Sequence, residues 1–402
     1  MDGPPSAGAG PAPPAAVLDL LRTESAFSVL ARAAELERGG RDIVHLEIGE
    51  PDFPTPHHVA EAGVAAIRAG RTHYGPTAGT PELRAAAATE LGRRRRIAVD
   101  PADVLVANGA KPFLFFTVLA LCGPGDEVVY PDPSFPIYES AIRWTGATPV
   151  PLKLSAEIGF GLDLDRLAAA LSPRTKLVIL NSPHNPTGGV ISPTEVAAAA
   201  ALIGEGPAWV LSDEVYSRFL YEGRFASIAA EPGMLERTVV LDGFSKAYAM
   251  TGWRCGFAAV PAALVEPLTR FLVNSTSCVP PFVQDAGVAA LEGPQDEVEA
   301  MVGEFRSRRD TVVAGLDALP GVSCALPAGA FYAFPDVSEV PLGTEELAER
   351  LLEEAGVALL AGSAFGSGGA GHLRVSYAAS VPTLELGLQR IGGFIAALPG
   401  GA

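Results

Sequence analysis

The tightest constraint on the fold is an alternation that begins at Asp103. Val104-Leu105-Val106-Ala107, Glu127-Val128-Val129-Tyr130, Lys176-Leu177-Val178-Ile179-Leu180, Trp209-Val210-Leu211-Ser212 and Val239-Val240-Leu241-Asp242 are short apolar runs, each closed by small or polar turn residues. Helical stretches separate several of them. One is almost wholly apolar and runs through Leu121, one starts at about Ser134, and one opens at Ser192-Pro193-Thr194-Glu195 with capping-box spacing. Runs that are apolar on both faces read as buried strands. Strands that alternate with helices imply a mostly parallel sheet covered on both sides. The expected class is therefore α/β.

The flanks read differently. Residues 1–14 are Pro, Gly, Ala and Ser almost throughout and are expected to be a disordered tail. Helical spacing runs from Val17 to Leu36 and stops at Gly39-Gly40, and residues 43–48 alternate like a short strand. Gly49-Glu50-Pro51-Asp52-Phe53-Pro54-Thr55-Pro56 is too rich in proline for regular structure and reads as a rigid loop. A second irregular loop holds Tyr74, after which Thr80 caps a helix with Pro81 at its first position. Beyond about Glu292 come a charged amphipathic helix (297–319), strand candidates at 330–334 and 372–377, and a helix at 344–355. This part reads as a second, smaller α+β domain.

Charge and cysteine usage narrow the function. The chain has 402 residues, enough for two or three domains, and a formal net charge of −17. Such a charge repels phosphate backbones and anionic membranes, so neither nucleic acid nor a membrane is an expected partner. The basic run Arg93 to Arg96 ends a helix, where cations suit the dipole, and against the acidic whole that reading outweighs a nucleic-acid patch. Cys122, Cys255, Cys278 and Cys324 are scattered, without Cys-x-x-Cys or histidines at ligand spacing. They fit reduced thiols in the cytoplasm, and no metal is expected. No signal peptide and no apolar membrane span is legible.

Chemistry gathers where the strands end. The Gly109-Ala110-Lys111 turn, Asn185, Asp213 and Lys246 all follow the carboxyl ends of expected strands, the edge at which open α/β sheets bind ligands. Each has a plain reading as a turn, a cap or a salt-bridge partner. Together they suit one cofactor. The helix after Gly109 offers free N–H groups to a phosphate, and Arg254 adds charge. Desolvated Lys246 suits a Schiff base with an aldehyde. Asp213 would keep a pyridine nitrogen protonated, Asn185 and Tyr216 would hydrogen-bond a ring oxygen, and Phe135 would stack on the ring. Those are the parts a pyridoxal 5'-phosphate enzyme needs.

The sequence resembles the class I/II aminotransferases, fold-type I pyridoxal phosphate enzymes, along nearly its whole length after the tail. It looks most like the prokaryotic-type aspartate aminotransferase subgroup. The motifs are Ile48-Gly49-Glu50-Pro51-Asp52-Phe53, Asn108-Gly109-Ala110-Lys111, Asn181 to Gly188, Ser212-Asp213-Glu214-Val215-Tyr216, Phe244-Ser245-Lys246, Met250-Thr251-Gly252-Trp253-Arg254 and Arg374-Val375-Ser376-Tyr377-Ala378. The resemblance implies that Lys246 is the Schiff-base lysine and the acid–base for the α-proton. It implies that Arg374 clamps the α-carboxylate, with the backbone of Gly49 and Asn185 beside it. It implies that Tyr74 reaches the phosphate of a neighbouring subunit, hence a homodimer with shared sites. It divides the chain into an N-terminal segment (15–58) joining the small domain, a large cofactor-binding domain (59–290) and a small C-terminal domain (291–402). Two departures stand out. Gly243 occupies a position where many relatives place a hydroxyl on the phosphate, so that either Ser245 compensates or the phosphate has one ligand fewer. Ala361 stands where proline is common.

The implied activity is ping-pong transfer of an amino group from an L-amino acid to a 2-oxo acid. Lys111 matches a lysine that helps bind a distal carboxylate, which favours an aspartate/2-oxoglutarate pair. Phe27 is apolar where a hydroxyl would suit a dicarboxylate better, which favours an aromatic or broad range. Fold does not settle reaction class, so a C–S β-lyase stands as the alternative. A non-catalytic regulatory sensor is a third reading, with neither room nor charge here for a DNA-binding domain.

Overall fold

The computed structural model describes residues 16–21 and 25–399. The expected tail, residues 1–14, lies outside the described residues. Twelve strands are present among the described residues. β1 (Val44–His45) precedes the alternating region, which supplies β2 (Val104–Ala107), β3 (Glu127–Asp132), β4 (Thr148–Lys153), β5 (Thr175–Asn181), β6 (Trp209–Asp213), β7 (Thr238–Gly243) and β8 (Gly256–Ala259). β9 (Tyr332–Ala333), β10 (Val357–Ala358), β11 (Leu360–Ala361) and β12 (Leu373–Ser376) follow.

The main sheet has seven strands in the order β2-β8-β7-β6-β5-β3-β4. β2 and β5 to β8 carry almost unbroken buried runs, as a sheet covered on both faces requires. Helices pack on both sides. Phe113, Leu114 and Val118 of the helix Lys111–Leu121 join one apolar cluster, and Val59, Leu83 and Ala286 join another on different strand residues. Only β8 runs against its neighbours, pairing antiparallel with both β2 and β7. β4 and β8 are not legible as strands in the sequence: the first is half proline-interrupted and partly exposed, the second is a four-residue run of small side chains.

Several expected boundaries move. The helical spacing from Val17 to Leu36 is not one helix: a 3-10 turn covers Ala16–Leu20 and an α-helix covers Ser25–Arg38. The strands expected at 43–48 and 330–334 shrink to β1 and β9, two residues each. The helix expected from Ser134 starts at Ile137, because Pro133 and Pro136 occupy the approach.

The N-terminal segment and the C-terminal region share one packing unit. β1 pairs parallel with β10, and Val44 and Leu46 sit in the same apolar cluster as Phe331, Tyr332, Val375 and Ile391. β12 is flanked by β11 and β9, both antiparallel. The proline-rich loop after β1 is thereby carried back to the rim of the main sheet, where Thr55 donates to the Ala249 carbonyl.

Candidate active site

A cavity of about 590 Å³ lies at the carboxyl ends of the parallel strands. Its walls include Gly49, Ala110, Lys111, Phe135, Asn185, Asp213, Tyr216, Ser245, Lys246, Arg254 and Arg374. The sequence-derived residues therefore meet, with two qualifications. Gly109 backs the wall through Arg254 and is not itself part of the lining. Tyr74 is not brought to this cavity and stands 92% exposed.

The strand order explains the convergence. β7 ends at Gly243, and Lys246 follows within one short helical turn, Phe244–Ala247. The chain then reverses into β8, so Arg254, just before Gly256, returns to the same rim as Lys246. Gly109 has a φ of +90°, and a Cβ there would lie 2.4 Å from Arg254 Nη2, so this turn admits only glycine. Arg254 itself donates to the Thr251 and Asn108 carbonyls at 2.9 and 3.2 Å. No side chain caps the helix Lys111–Leu121; Pro112 has no N–H and the Phe113 N–H donates to the Ala110 carbonyl at 3.1 Å, so the Lys111 N–H and the positive end of the helix are what this turn offers to an anion.

Lys246 Nζ donates to the Gly49 carbonyl at 2.6 Å. Desolvation, with Arg374, Lys111 and Arg254 nearby, pushes its pKa down to about 8, against a partial pull upward from Glu50. Asp213 lies on the floor, 5% exposed. Burial pushes its pKa up to about 6 although Tyr138 Oη donates to Oδ2 at 2.6 Å and the Val215 N–H reaches Oδ1 at 3.4 Å. The Asn181 side chain donates to the Asp213 carbonyl at 2.9 Å and accepts from the Asn185 N–H at 3.1 Å, which locks two strand ends together.

Arg374 comes from β12 and is buried. Its guanidinium lies between the rings of Tyr332 and Phe365, 4.7 and 4.8 Å from their centroids. It donates to Asn185 Oδ1 at 3.2 Å and to the Glu47 carbonyl. Tyr216 Oη is 2.7 Å from Tyr332 Oη. Lys111 Nζ lies 5.3 Å from the centre of the Phe135 ring, and Leu114, Ala26 and Phe27 line the same cavity.

Sequence reasoning did not find Tyr138, Tyr332, Asn181 or Glu50 as site residues. Asn181 sat inside a quoted motif, and its position at a strand end was a usable signal. Tyr138 and Tyr332 look like ordinary core aromatics in sequence, and both are indeed almost fully buried. The four cysteines are free, and burial pushes the thiols of Cys122, Cys255 and Cys324 up to about 12, which leaves Cys255 an unreactive buried side chain although it follows Arg254.

The residues fit pyridoxal phosphate. Asp213 is a buried carboxylate with neutral donors only, so a protonated pyridine nitrogen would supply the charge it lacks. The uncapped helix, Ser245 and Arg254 form an anion cradle on the same wall. A partly buried lysine with a lowered pKa lines the same cavity.

Residues 41–391 match the family described as "Aminotransferase class I and II". The chain is 39% identical over 391 residues to an aspartate aminotransferase of Rhizobium meliloti, covering 94% of this chain and 95% of the relative. It is 38% identical over 367 residues to an arginine–pyruvate transaminase of Pseudomonas aeruginosa, covering 91% and 93%. Its fold matches the crystal structure of the Rhizobium meliloti aspartate aminotransferase with a TM-score of 0.91 at 37% identity, over 97% of this chain and all of that one. The lyase alternative gains no support from these relatives. A buried carboxylate, an anion cradle and a desolvated lysine on one rim, together with a family match over most of the sequence, lead to one conclusion: the chain belongs to the class I and II aminotransferases and is a pyridoxal phosphate-dependent transaminase.

Proposed function

We propose that the enzyme moves an amino group from an L-amino acid to a 2-oxo acid in two half-reactions, with acidic substrates slightly favoured. The observation that carries this reading is the convergence of Lys246, Arg374 and Lys111 on one cavity. Bound pyridoxal phosphate supplies the electron sink that stabilises negative charge at the substrate Cα. Asp213 holds the cofactor's ring nitrogen in its protonated form. The helix start at Ala110-Lys111, Ser245 and Arg254 hold the phosphate, Phe135 covers the ring, and Asn185 and Tyr216 hold the ring oxygen.

Arg374 orients the substrate. Its fork faces the α-carboxylate while stacking and hydrogen bonds fix its plane, and the Gly49 backbone lies beside it. Fixing the carboxylate places the α-proton toward Lys246. Lys246 Nζ, with a pKa near 8, accepts the proton from Cα and returns it to the cofactor side.

The low pKa of Lys246 gives a pH prediction. Cofactor-free protein must present a neutral amine to take up the aldehyde. A lowered amine pKa means the neutral form gains as pH rises through about 8, not through the usual lysine range. The rate at which cofactor-free protein regains colour with pyridoxal phosphate is expected to climb about tenfold per unit from pH 6 and to level off above about 8. A rate still climbing steeply at pH 10 would show that Lys246 is not desolvated.

Lys111 gives the specificity prediction. Its ammonium, close to Phe135 in the cavity lining, would meet a distal carboxylate. Lys111→Ala is expected to lower the ratio of kcat/KM for aspartate over phenylalanine by roughly tenfold, the scale of one charge-assisted hydrogen bond. The second reading, an aromatic or broad range, is favoured by Phe27, Ala26 and Leu114 in the same cavity lining. The deciding measurement is bleaching of the cofactor's coloured band by single amino acids, with recovery on 2-oxoglutarate. Bleaching by aspartate or glutamate supports the acidic reading, and bleaching only by aromatic or aliphatic amino acids supports the other.

A homodimer with shared sites is part of the proposal. Tyr74 is exposed to an extent unusual for a tyrosine, and Ile67 and Val273, also within residues 59–290, are exposed apolar side chains. The proposed domain limits are 59–290 and 291–402, and the pairing of β1 with β10 supports joining 15–58 to the second. Among the described residues no helix is long and apolar enough to cross a membrane. Free buried thiols support a cytoplasmic setting.

A further inference from the structure

Tyr332 meets three parts of the site at once. Its ring covers one face of the Arg374 guanidinium, 4.7 Å from centroid to Cζ. Its hydroxyl lies 2.7 Å from that of Tyr216. A Cβ on Gly49 would fall 1.9 Å from the Tyr332 hydroxyl, so the loop carrying Gly49 can approach only because that residue is glycine. The register makes this placement rigid. Tyr332 pairs with Ser376 across β9 and β12, and Ser376 is two residues from Arg374, on the same face of β12. Tyr332 is 1% exposed and still lines the cavity.

A ring that served only as packing would not need a hydroxyl at this depth. Burying a phenol costs free energy unless it is hydrogen-bonded, and here the partner is the hydroxyl of Tyr216. If Tyr216 donates to the cofactor's ring oxygen, the hydrogen bond between the two phenols must run from Tyr332 to Tyr216. A phenol that accepts such a bond donates more strongly in turn.

We propose that Tyr332 is a positioning residue of the transamination site: its ring fixes the plane of Arg374, and its hydroxyl orients and strengthens Tyr216 as a donor. The inference rests on the roles proposed above for Arg374 and Tyr216. Through it, the element that carries the carboxylate clamp also sets the electrostatics at the ring oxygen.

The test uses holoenzyme and four variants: Tyr332→Phe, Tyr332→Leu, Tyr216→Phe and Arg374→Lys. The first readout is the pH midpoint of the colour change of the lysine-linked cofactor. A hydrogen bond donated to the ring oxygen favours its anionic form and lowers that midpoint. Tyr216→Phe is expected to raise the midpoint, and Tyr332→Phe to raise it by a smaller amount with KM for the amino acid within about twofold of the parent. Tyr332→Leu is expected to raise the midpoint similarly and to raise KM by about ten- to thirtyfold, the scale of a desolvated guanidinium–ring contact. A Tyr332→Phe enzyme with the parent's midpoint, or a Tyr332→Leu enzyme with the parent's KM, overturns the proposal while the roles of Tyr216 and Arg374 stand. If Tyr216→Phe leaves the midpoint unmoved or Arg374→Lys leaves KM unmoved, the underlying assignment fails and this inference falls with it. Tyr332→Phe is isosteric, so the hydroxyl half of the proposal is read even if Tyr332→Leu does not fold.

Discussion

Lys246→Ala is expected to abolish the coloured lysine-linked band and to reduce transamination by at least roughly 10²–10⁴-fold, the usual worth of one positioned acid–base group. The full loss should be larger, because the same atom both links the cofactor and moves the α-proton. Lys246→Arg separates charge from chemistry. It keeps a cation near Glu50 and the Gly49 carbonyl, but a guanidinium does not deprotonate in this range. Both variants should therefore be equally inactive. Release of the 2-oxo acid from a saturating amino acid is the measurement. An Ala or Arg variant that retains activity within tenfold of the parent would remove Lys246 from the centre of the mechanism.

The second large effect lies beneath the site. Arg95 is completely buried and joins Glu214 and Asp242 at 2.5 Å each, with Ser217 Oγ at 3.2 Å. Those carboxylates flank the active residues on their own strands. Glu214 follows Asp213, and Asp242 precedes Gly243 and accepts its N–H at 2.7 Å. Ser212 and Ser227 also donate to Glu214, at 2.8 and 2.6 Å. Arg95→Met leaves two buried carboxylates without a cation and is expected to cost about 3–5 kcal/mol of stability. The pH dependence has a definite sign. Burial already raises the Glu214 pKa, and loss of Arg95 removes the cation that opposes that rise, so the folded form binds a proton that the unfolded chain releases. The destabilisation should be small near pH 5 and grow toward pH 8. Denaturant unfolding at matched protein concentration across that range checks it. Asp242→Asn in the Arg95→Met background should recover part of the loss. A flat pH profile would mean that the network contributes packing alone. Glu214 and Asp242 also push the Asp213 pKa upward, so the buried arginine lies next to the chemistry as well as to the fold.

The main sheet was legible because its signal is local. A fully buried strand must be apolar on both faces, and β5, β6 and β7 meet that rule without interruption. β4 and β8 were not legible for the opposite reason: one is largely exposed at the sheet edge, and the other consists of small residues whose burial depends on what covers them. The expected strands at 43–48 and 330–334 were longer than β1 and β9 because the extent of a strand is set by its pairing partners, β10 and β12, which lie far away in sequence.

The sequence by itself determined the class of fold and the identity of the groups at the strand ends, since position just beyond a buried strand is a local property of the chain. Asp213, Lys246 and Asn185 needed nothing more to be singled out. Only the tertiary structure decided which distant groups meet them. The Lys246–Gly49 hydrogen bond spans 197 residues and the Arg374–Asn185 bond spans 189. Tyr138 beneath Asp213, Tyr332 across Arg374 and Arg95 behind both strands carry no local mark. Packing also set the working pKa values. Desolvation is a property of the surrounding atoms, and it brings a lysine to about 8 and an aspartate to about 6 only once the sheet, the proline-rich loop and β12 have closed around them.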